Sequence, residues 1–359
     1  MSSNNKRVVV AMSGGVDSSV AAALMVERGY EVIGLTLQLY NHGQGQHQSR
    51  TCCAGQDIYD AKQVADQLNI PHYVLDYEDR FKSEVIDDFV DSYVSGITPI
   101  PCVRCNERIK FRDLLKTSQE LGAKALVTGH YVRQLNSKNH LELHTAVDSD
   151  RDQSYFLFAT KYEQLDFLMF PLGNFSKGET RLIAEKYHLA VAAKPDSQDI
   201  CFVPDGNYAR TLEMLRPGAG EPGNIILEDG EVIGKHSGVI RFTVGQRRGI
   251  NVPWKEPLYV TRLRPSAREV VVGPKSALGK ITASVKDVNW LDLSNKAKDE
   301  KRLTVKVRSA STGVPATIVV GDENNAQIFF ESSPGAIAPG QAAVFYDGTR
   351  LMGGGWIHQ

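Results

Sequence analysis

Residues 8–19 read VVVAMSGGVDSS, and this stretch decides the fold predicted for the chain. Its first five residues are apolar, which is typical of a strand buried on both faces of a parallel sheet. Apolar residues recur with helical spacing from Ser18 to Arg28, and Gly29 is placed to end that helix. The serine and glycine residues in between therefore form a loop that joins a first strand to a first helix.

Strands and helices go on alternating as far as about residue 205. The pattern predicts strands at 31–37, 72–75 and 125–128, and helices at 57–68, 81–95, 107–121 and 176–187. Asp57 is placed to cap its helix, and Ser176 with Glu179 has the spacing of a capping box. Such alternation predicts an α/β fold with a doubly wound parallel sheet, whose ligands bind at the carboxyl ends of the strands.

Beyond about residue 205, glycine, proline and short β-rich segments dominate. Strands are predicted at 239–244, 258–263, 270–272, 303–307, 318–320, 328–330 and 342–346. Short strands separated by turn residues predict small sheets or barrels. We therefore expect an α/β domain over residues 1–207, a small β-rich domain over 208–276 and a barrel-like domain over 277–359.

The composition is that of a globular protein. Of 359 residues, 42% are hydrophobic, enough for each domain to bury a core, so disorder is excluded as the main state. No apolar run reaches the roughly 18 residues of a membrane span, and the first residues lack the apolar centre of a signal peptide. The sequence predicts a cytoplasmic protein with no membrane partner.

The loop after the first strand has the chemistry of a phosphate site. Gly14 and Gly15 let the backbone approach a ligand closely. N–H groups at the helix start and the hydroxyls of Ser13, Ser18 and Ser19 can donate to an anion. The Gly-Lys-Ser/Thr ending of a P-loop is absent, which disfavours kinases and GTPases of that type. A plain glycine turn capped by serine is the alternative.

Asp17 stands inside this loop. Its carboxylate would repel phosphates unless a cation lay between them. Mg²⁺ bound with the nucleotide would supply that cation. Asp17 is therefore both a predicted site residue and the reason for expecting Mg²⁺.

Cysteines stand at positions 52, 53, 102, 105 and 201. An odd number in a long chain favours thiol chemistry or metal ligation over a disulfide framework. Cys105 is predicted at a helix N-terminus with basic residues nearby, a setting that favours the thiolate and makes it a candidate nucleophile. Half of a zinc site and buried inert thiols are the alternatives. No role for the Cys52-Cys53 pair follows from the residues.

The loop at 13–19 resembles the pyrophosphatase loop of enzymes that cleave ATP to AMP and pyrophosphate, among them GMP synthetase, argininosuccinate synthetase and tRNA thiolases. Further motifs, taken in order along the chain, resemble one family, the tRNA-specific 2-thiouridylases of the bacterial and mitochondrial type. They are SGGVDSS at 13–19, CCA at 52–54, PCVRCNERIKF at 101–111, TGHY at 128–131, RDQSYFL at 151–157, DSQDICF at 196–202, FTVGQRRG at 242–249 and PGQAAVFY at 339–346.

The resemblance implies an adenine nucleotide alpha hydrolase-like domain that acts on tRNA. ATP would adenylate O2 of the wobble uridine, and a persulfide on Cys201 would supply the sulfur, giving 2-thiouridine, AMP and pyrophosphate. Cys105 would attack that persulfide to free sulfide, or assist its transfer, and leave a Cys105–Cys201 disulfide to be reduced. A cysteine desulfurase or a sulfur relay protein would be the sulfur donor.

The site residues that the motifs imply fall into three groups. Catalysis is assigned to Asp17, Cys105 and Cys201. ATP binding is assigned to Ala11, Met12, Ser13, Gly14, Gly15, Val16, Asp17, Ser18, Leu37 and Gly129. Contact with tRNA is assigned to His130, Arg151, Asp152, Gln153 and Gln341.

Two departures from the family pattern bear on the cysteines. Members often have Pro-Asn-Pro where this chain has Pro99-Ile100-Pro101, so the Asn side chain that could contact a base is missing. Other members have Asp at the position of Cys102. Three thiols, Cys102, Cys105 and Cys201, could then hold a [4Fe-4S] cluster with an open iron for sulfide. Persulfide transfer is the expected mechanism, and the cluster is its alternative.

Charge is segregated along the chain, although the net charge is only −1. Residues 235–310 contain 17 Lys and Arg against 6 Asp and Glu, so this region carries +11 and the remainder −12. Candidates for contact with the tRNA backbone are Arg247, Arg248, Arg262, Arg264, Lys306 and Arg308. A solvated basic surface with no RNA partner is the alternative.

Two other functions remain open from the residues. One is an ATP-pyrophosphatase ligase or amidotransferase that acts on a small metabolite, for which the cysteines have no evident use. The other is a non-catalytic nucleotide- and RNA-binding module, against which the intact loop and the placed thiols argue.

Overall fold

The computed structural model describes residues 6–40, 54–137, 140–196, 200–203, 206–292 and 300–358. These residues group into two compact units. The first unit consists of described residues within Met1–Val85, Cys102–Asp205 and Thr349–Leu351. The second unit consists of described residues within Ile86–Pro101, Gly206–Gly348 and Met352–Gln359. Across the described ranges, no helix is long and apolar enough to cross a membrane.

The first unit is built on a parallel sheet. The strands of this unit are β1 (Arg7–Ala11), β2 (Glu31–Gln38), β3 (His72–Asp76), β4 (Leu126–Val127), β5 (Val132–Ser137), β6 (His140–Thr145) and β7 (Leu168–Met169). The parallel strands lie in the order β3-β2-β1-β4-β7. The order reverses between β1 and β4, because the chain builds outward from β1 to β3 and then places β4 on the other side of β1. The predicted doubly wound sheet is confirmed.

The core of this sheet follows from the apolar run of β1. Val8, Val9 and Val10 are fully buried, as expected for a central strand covered on both faces. Within the described ranges, the α-helices are α1 (Val16–Glu27), α2 (Ala54–Gln67), α3 (Glu78–Phe81), α4 (Asp87–Val94), α5 (Pro101–Arg104), α6 (Leu115–Glu120), α7 (Lys177–Lys186) and α8 (Tyr208–Leu215). Helical segments with π-type hydrogen bonding, Lys82–Ile86 and Cys105–Leu114, join α3 to α4 and α5 to α6.

Two predicted features of this unit differ from the structure. The helix expected from 107 begins at Pro101, a residue that suits a first helical position because the N–H it lacks would have no partner there. The antiparallel hairpin of β5 and β6 has no counterpart among the predicted strands. Its sequence, VRQLNS and HLELHT, carries polar residues at many positions, so the apolar pattern is weak.

A small mixed sheet forms one part of the second unit. Its strands are β8 (Gly223–Ile226), β9 (Val232–His236), β10 (Tyr259–Arg264) and β11 (Glu269–Gly273), in the order β10-β11-β8-β9. The strand predicted at 239–244 is wrong, because Val239–Arg241 forms a short 3₁₀ turn. Val239, Ile240 and Phe242 are buried, so these apolar residues fill a core without belonging to a strand.

A closed barrel forms another part of the second unit. Its strands are β12 (Thr282–Trp290), β13 (Glu300–Lys306), β14 (Val314–Val320), β15 (Ala326–Phe330), β16 (Ala342–Asp347) and β17 (Arg350–Ile357). They follow the order β12-β15-β14-β13-β16-β17, and β12 also pairs with β17 to close the barrel. The predicted barrel is confirmed, although β12 and β17 were not expected. β17 escapes detection because glycines occupy 353–355.

Candidate active site

The loop between β1 and α1 lies where the strand order of the sheet reverses. This position is where doubly wound sheets bind their ligands. Gly14 has a φ of +73°, and a Cβ atom there would lie 2.1 Å from the carbonyl oxygen of Asp57, so only glycine fits. The loop thus has the position that its predicted chemistry requires.

The serine hydroxyls of the loop have different surroundings. Ser19 is fully buried, and its hydroxyl donates to the Gly15 carbonyl at 2.8 Å. The prediction that Ser19 offers a donor to an anion is therefore wrong. Ser13 is exposed, and its hydroxyl lies 3.1 Å from that of Ser18. No side chain caps α1 at Gly15, so the first turn of this helix keeps its N–H groups free of side-chain caps.

Other residues predicted to bind ATP lie along the same edge of the sheet. Gly129 follows β4, and a Cβ atom there would lie 2.8 Å from the backbone of both Asp17 and Ser18. The turn after β4 therefore packs directly on the loop, and glycine is required for that approach. Leu37 is half-buried near the carboxyl end of β2, opposite Leu75 of β3.

Asp17, the acid of the loop, already has a cationic partner. Its Oδ1 atom lies 2.7 Å from Lys177 Nζ and accepts a hydrogen bond of 2.8 Å from the Tyr131 hydroxyl. Burial and the nearby charge of Asp17 raise the pKa of Tyr131, so this hydroxyl stays protonated and can donate. The Lys177 ammonium therefore provides neutralising charge where the sequence led us to expect Mg²⁺ alone.

Asp196 binds the same ammonium. Its Oδ1 atom lies 2.8 Å from Lys177 Nζ and 2.9 Å from Arg181, and its Oδ2 atom lies 3.0 Å from Arg151. Burial alone would raise the pKa of Asp196, but the hydrogen bond from Lys177 and the nearby cations lower it overall. Lys177 thus joins the loop acid Asp17 to Asp196, the first residue of the motif that contains Cys201.

Lys194 makes a second link to the loop. Its Nζ atom donates to the Gly14 carbonyl at 3.0 Å and to Asp57 at 2.7 Å, and it also pairs with Asp60. Burial would lower the pKa of Lys194, but the two carboxylates outweigh burial and raise it. Asp57 was expected to cap α2. That helix instead begins at Ala54, and the Asp57 carboxylate binds Lys194.

Sequence reasoning missed Lys177, Lys194 and Tyr131. Their partners are remote along the chain, since 160 positions separate Lys177 from Asp17 and 137 separate Lys194 from Asp57. Two signals were available, since Tyr131 ends the TGHY motif and Lys194 stands two residues before the DSQDICF motif. Nothing local to Lys177 distinguishes it from any lysine in the first turn of a helix.

The expected setting of Cys105 is wrong in two respects. Because the helix starts at Pro101, Cys105 lies inside it, and the exposed Cys102 occupies the first turn. Cys105 is 9% exposed, and burial raises the pKa of its thiol, an effect that the charge of Lys110 only reduces.

The cations expected to favour the Cys105 thiolate have other partners. Arg104 lies 3.1 Å from Glu107. Arg108 donates to the Glu84 carbonyl at 2.8 Å, and Lys110 donates to the Asn106 side chain at 3.0 Å. The resting state of Cys105 is therefore the protonated thiol.

The segment of Cys201 packs near the helix of Cys105. The ring of Phe202 meets that of Phe81 edge to face, with centroids 5.8 Å apart. Arg80, next to Phe81, lies 2.8 Å from Asp113 in the π-helical segment that starts at Cys105. The two predicted reactive cysteines thus belong to segments that share the neighbour α3. Cys52 and Cys53 lie outside the described residues.

A cluster of metal-binding side chains is not found in the part of the chain that the structure describes. No three His, Cys, Asp or Glu residues in those ranges are arranged to hold a metal ion. Cys102, Cys105 and Cys201 all lie in the described ranges, and they differ in exposure from exposed to buried. Their arrangement does not fit an iron–sulfur cluster.

The residues predicted to contact tRNA in the first unit are mostly engaged internally. The Asp152 carboxylate accepts from the backbone N–H groups of Ala146 and Ser154, and Gln153 accepts from that of Tyr131.

His130 is also largely enclosed. It contacts the rings of Phe111 and Phe170 edge to face, and burial lowers its pKa well below the ordinary value of 6.5. The imidazole is neutral at physiological pH, so it can bind RNA by a hydrogen bond but not by charge.

The second unit presents several of the predicted cations to solvent. Arg247, Arg248 and Arg308 are exposed, whereas Arg264 pairs with Glu269 at 3.2 Å. The Gln341 side chain donates to the Thr98 carbonyl at 3.2 Å. Gln341 is thus anchored beside the segment that precedes Pro101 and the cysteine pair.

Three family models match successive parts of the chain. The one described as "tRNA methyl transferase HUP domain" matches residues 6–205. The one described as "tRNA methyl transferase PRC-barrel domain" matches residues 214–274. The one described as "Aminomethyltransferase beta-barrel domain" matches residues 281–357.

Curated relatives match almost the whole chain. It is similar to the tRNA-specific 2-thiouridylase MnmA of Rhodospirillum centenum, with 57% identity over 98% of this chain and 91% of that protein. The MnmA of Rickettsia bellii is 55% identical over 99% of this chain and 98% of that protein. Among solved structures, the NMN synthetase of Francisella tularensis matches 59% of this chain and 76% of that chain, with 18% identity and a TM-score of 0.36.

Proposed function

Because the chain belongs to the tRNA-specific 2-thiouridylase family, we propose that it transfers sulfur to C2 of the wobble uridine in tRNAs of the Lys, Glu and Gln type. ATP is the activating substrate, and a cysteine persulfide is the source of sulfur. Membership of this family does not favour a small-metabolite ligase or a non-catalytic RNA-binding module.

One observation supports this function above the others. Lys177 binds the nucleotide-loop acid Asp17 and also Asp196, which begins the motif of Cys201. An enzyme that only adenylates a metabolite has no need to attach a cysteine segment to its nucleotide loop. A sulfur transferase has that need, because the sulfur must reach the atom that ATP has activated.

Activation takes place at the loop of residues 12–18. N–H groups at the start of α1 bind the phosphates of ATP, and Gly14 and Gly129 allow the close backbone packing that shapes the loop. Mg²⁺ bound with ATP would reduce the charge on its phosphates. O2 of uracil attacks the α-phosphorus, the bond to the β-phosphate oxygen breaks, and pyrophosphate leaves. The oxygen at C2 is then part of a good leaving group, AMP.

Sulfur transfer uses Cys105 and Cys201. Sγ of Cys105 attacks Sγ of the Cys201 persulfide as the Cys105 thiol gives up its proton to solvent, the S–S bond breaks, and hydrosulfide leaves with the electron pair. Hydrosulfide adds to C2 of the adenylated uracil, and AMP leaves with the former O2 atom. A dithiol reductant then supplies two electrons that return the Cys105–Cys201 disulfide to thiols.

Binding of tRNA requires cations and access to one base. The exposed Arg247, Arg248 and Arg308 provide contacts for phosphates, while Arg151 pairs with Asp196 in the motif of Cys201. The wobble uridine leaves the stacked anticodon loop to enter the site, as bases do in other enzymes that modify them. The proposal keeps three domains, with boundaries at 207/208 and 276/277.

The test is reconstitution. The protein is incubated with ATP, Mg²⁺, a cysteine desulfurase with cysteine, and unmodified tRNA for Lys, Glu or Gln, and 2-thiouridine is measured by mass spectrometry. We expect the product with the unaltered protein and none with Cys201→Ser. Cys102→Ser is the matched control and should keep activity, because persulfide chemistry needs only Cys105 and Cys201. Product formation by Cys201→Ser would refute the proposed sulfur path.

A further inference from the structure

The segment of residues 194–196 is attached at both ends to groups around the nucleotide loop. At one end, Lys194 donates to the Gly14 carbonyl and pairs with Asp57 and Asp60 of α2. At the other end, Asp196 binds Lys177, which in turn binds Asp17. The chain then continues to Cys201, so both attachments lie just ahead of the sulfur-carrying residue.

Lys177 is itself held rigidly. It is 9% exposed, and its backbone N–H donates to the Asp148 carboxylate at 2.9 Å. It opens α7, whose start is fixed by the reciprocal capping box of Ser176 and Glu179. A side chain held in this way has lost most of its freedom before any ligand binds, so it can set the distance between the two carboxylates that it joins.

We propose that Lys177 and Lys194 are positioning residues that clamp the segment leading into Cys201 against the nucleotide loop, so that sulfur is delivered where uracil is activated. The inference rests on the proposed function and deepens it. Neither lysine needs to touch the reacting atoms, because each acts through a group that does: Lys177 through Asp17, and Lys194 through the backbone of Gly14.

Removing the Lys177 ammonium has a direct electrostatic consequence. Oxygens of Asp17 and Asp196 both lie within 2.8 Å of the same nitrogen. Without that nitrogen the contacts of Asp196 with Arg181 and Arg151 remain, but the ammonium that joins Asp196 to Asp17 is gone. The segment then moves away from the loop, and Cys201 loses its position relative to the nucleotide.

The experiment measures 2-thiouridine formed per pyrophosphate released, in reactions with ATP, Mg²⁺, tRNA and a persulfide donor. We expect Lys177→Met and Lys194→Met each to lower this ratio at least about tenfold, because small displacements of reacting groups cost that much or more. Lys177→Arg should restore most of the ratio, since a guanidinium can bridge two carboxylates. A loss of stability alone would reduce both products in parallel and leave the ratio unchanged.

Lys186→Met is the matched control. Lys186 lies on the same helix, its side chain is 63% exposed, and it pairs with Glu27 alone among the ion pairs found in the described ranges. Lys186→Met should form as much 2-thiouridine per pyrophosphate released as the unaltered protein. If Lys177→Met also keeps that ratio, the clamp is refuted. If Lys177→Met does not fold, Asp196→Ala decides in its place, because it breaks the same link and leaves the Asp17–Lys177 pair intact.

Alkylation separates failure of the clamp from failure of the proposed function. Iodoacetamide labelling of Cys201 is followed by peptide mass spectrometry without tRNA or a sulfur donor. We expect Cys201 to react several-fold faster in Lys177→Met and Lys194→Met than in Lys186→Met. Equal rates would overturn the clamp even if the protein makes 2-thiouridine. Faster rates would support the clamp even if the unaltered protein makes none and the proposed function fails.

Discussion

Cys102 and Cys105 are three positions apart in one helix and have opposite environments. Cys102 is exposed in the first turn, whereas Cys105 is buried and the pKa of its thiol is raised. A buried protonated thiol is a poor nucleophile and is also protected from oxidants and metals. In the proposed reaction this keeps Cys105 inactive until the Cys201 persulfide reaches it. The sequence alone predicted a reactive Cys105 thiolate, because it placed Cys105 at a helix start.

The difference between these thiols predicts their order of alkylation. At pH 7.5, iodoacetamide should label Cys102 well before Cys105, as measured by peptide mass spectrometry. The pKa of Cys105 is raised above its ordinary value of 9.0, so its labelling should rise about tenfold per pH unit between pH 7 and 9 without levelling off. Labelling of Cys105 that levels off below pH 8 would contradict a raised pKa. Cys102→Ser provides a background without the exposed thiol.

Helix α7 binds both the nucleotide loop and the segment that leads to Cys201. Lys177 in its first turn binds Asp17 and Asp196, and Arg181 one turn later binds Asp196 again. Thr180 lies 3.0 Å from the Tyr131 hydroxyl that donates to Asp17. The start of this helix therefore decides how well the nucleotide loop and the Cys201 segment are aligned.

Two substitutions at the start of α7 should change stability in opposite directions. Ser176 accepts a hydrogen bond from the Glu179 N–H, so Ser176→Ala should lower the free energy of unfolding by about 1 kcal/mol. Gly178 is helical and exposed, and a Cβ atom there would meet only the Ser176 hydroxyl at 3.9 Å. Gly178→Ala should raise the free energy of unfolding by about 0.5 kcal/mol or more. Denaturant titration measures both, and equal effects of the two changes would contradict the capping box.

Over the whole molecule, charge is segregated along the chain. The region of residues 235–310 carries +11 and the remainder −12, so a net charge of −1 conceals a strongly basic region of the chain. The exposed arginines of that region, Arg247 and Arg248 among them, belong to the second unit, while the nucleotide loop and Cys201 belong to the first. The proposed division assigns RNA backbone contact to one unit and chemistry to the other.

This division predicts a salt-dependent effect. Replacing Arg247 and Arg248 by Ala should weaken tRNA binding and make the slope of log K against log salt shallower by roughly 1 for each phosphate that the protein no longer binds. Binding is measured by filter retention or anisotropy between about 50 and 300 mM KCl, a range over which phosphate contacts respond strongly to salt. Lys116→Ala is the control, because Lys116 is 76% exposed and outside the basic region. An unchanged slope in the double variant would assign these arginines to a solvated surface.

Local patterns were sufficient for much of the fold. The apolar run of β1, the glycines after it and the capping box of α7 are each decided by neighbours a few residues away, and they are present as predicted. The strand predicted at 239–244 failed because its buried apolar residues do not report whether their backbone is paired. β17 was missed because its glycines lack the side chains by which strands are detected.

What the sequence by itself determined was the doubly wound sheet, the nucleotide loop and the family, since each depends on short contiguous motifs. Only the tertiary structure decided the charge state and the attachment of the reactive groups. Burial depends on residues from the whole unit, and it reversed the expectation for the Cys105 thiol. The bridge from Asp17 through Lys177 to Asp196 joins residues far apart along the chain, and an ion pair over that separation exists only after the sheet has brought its strand ends together.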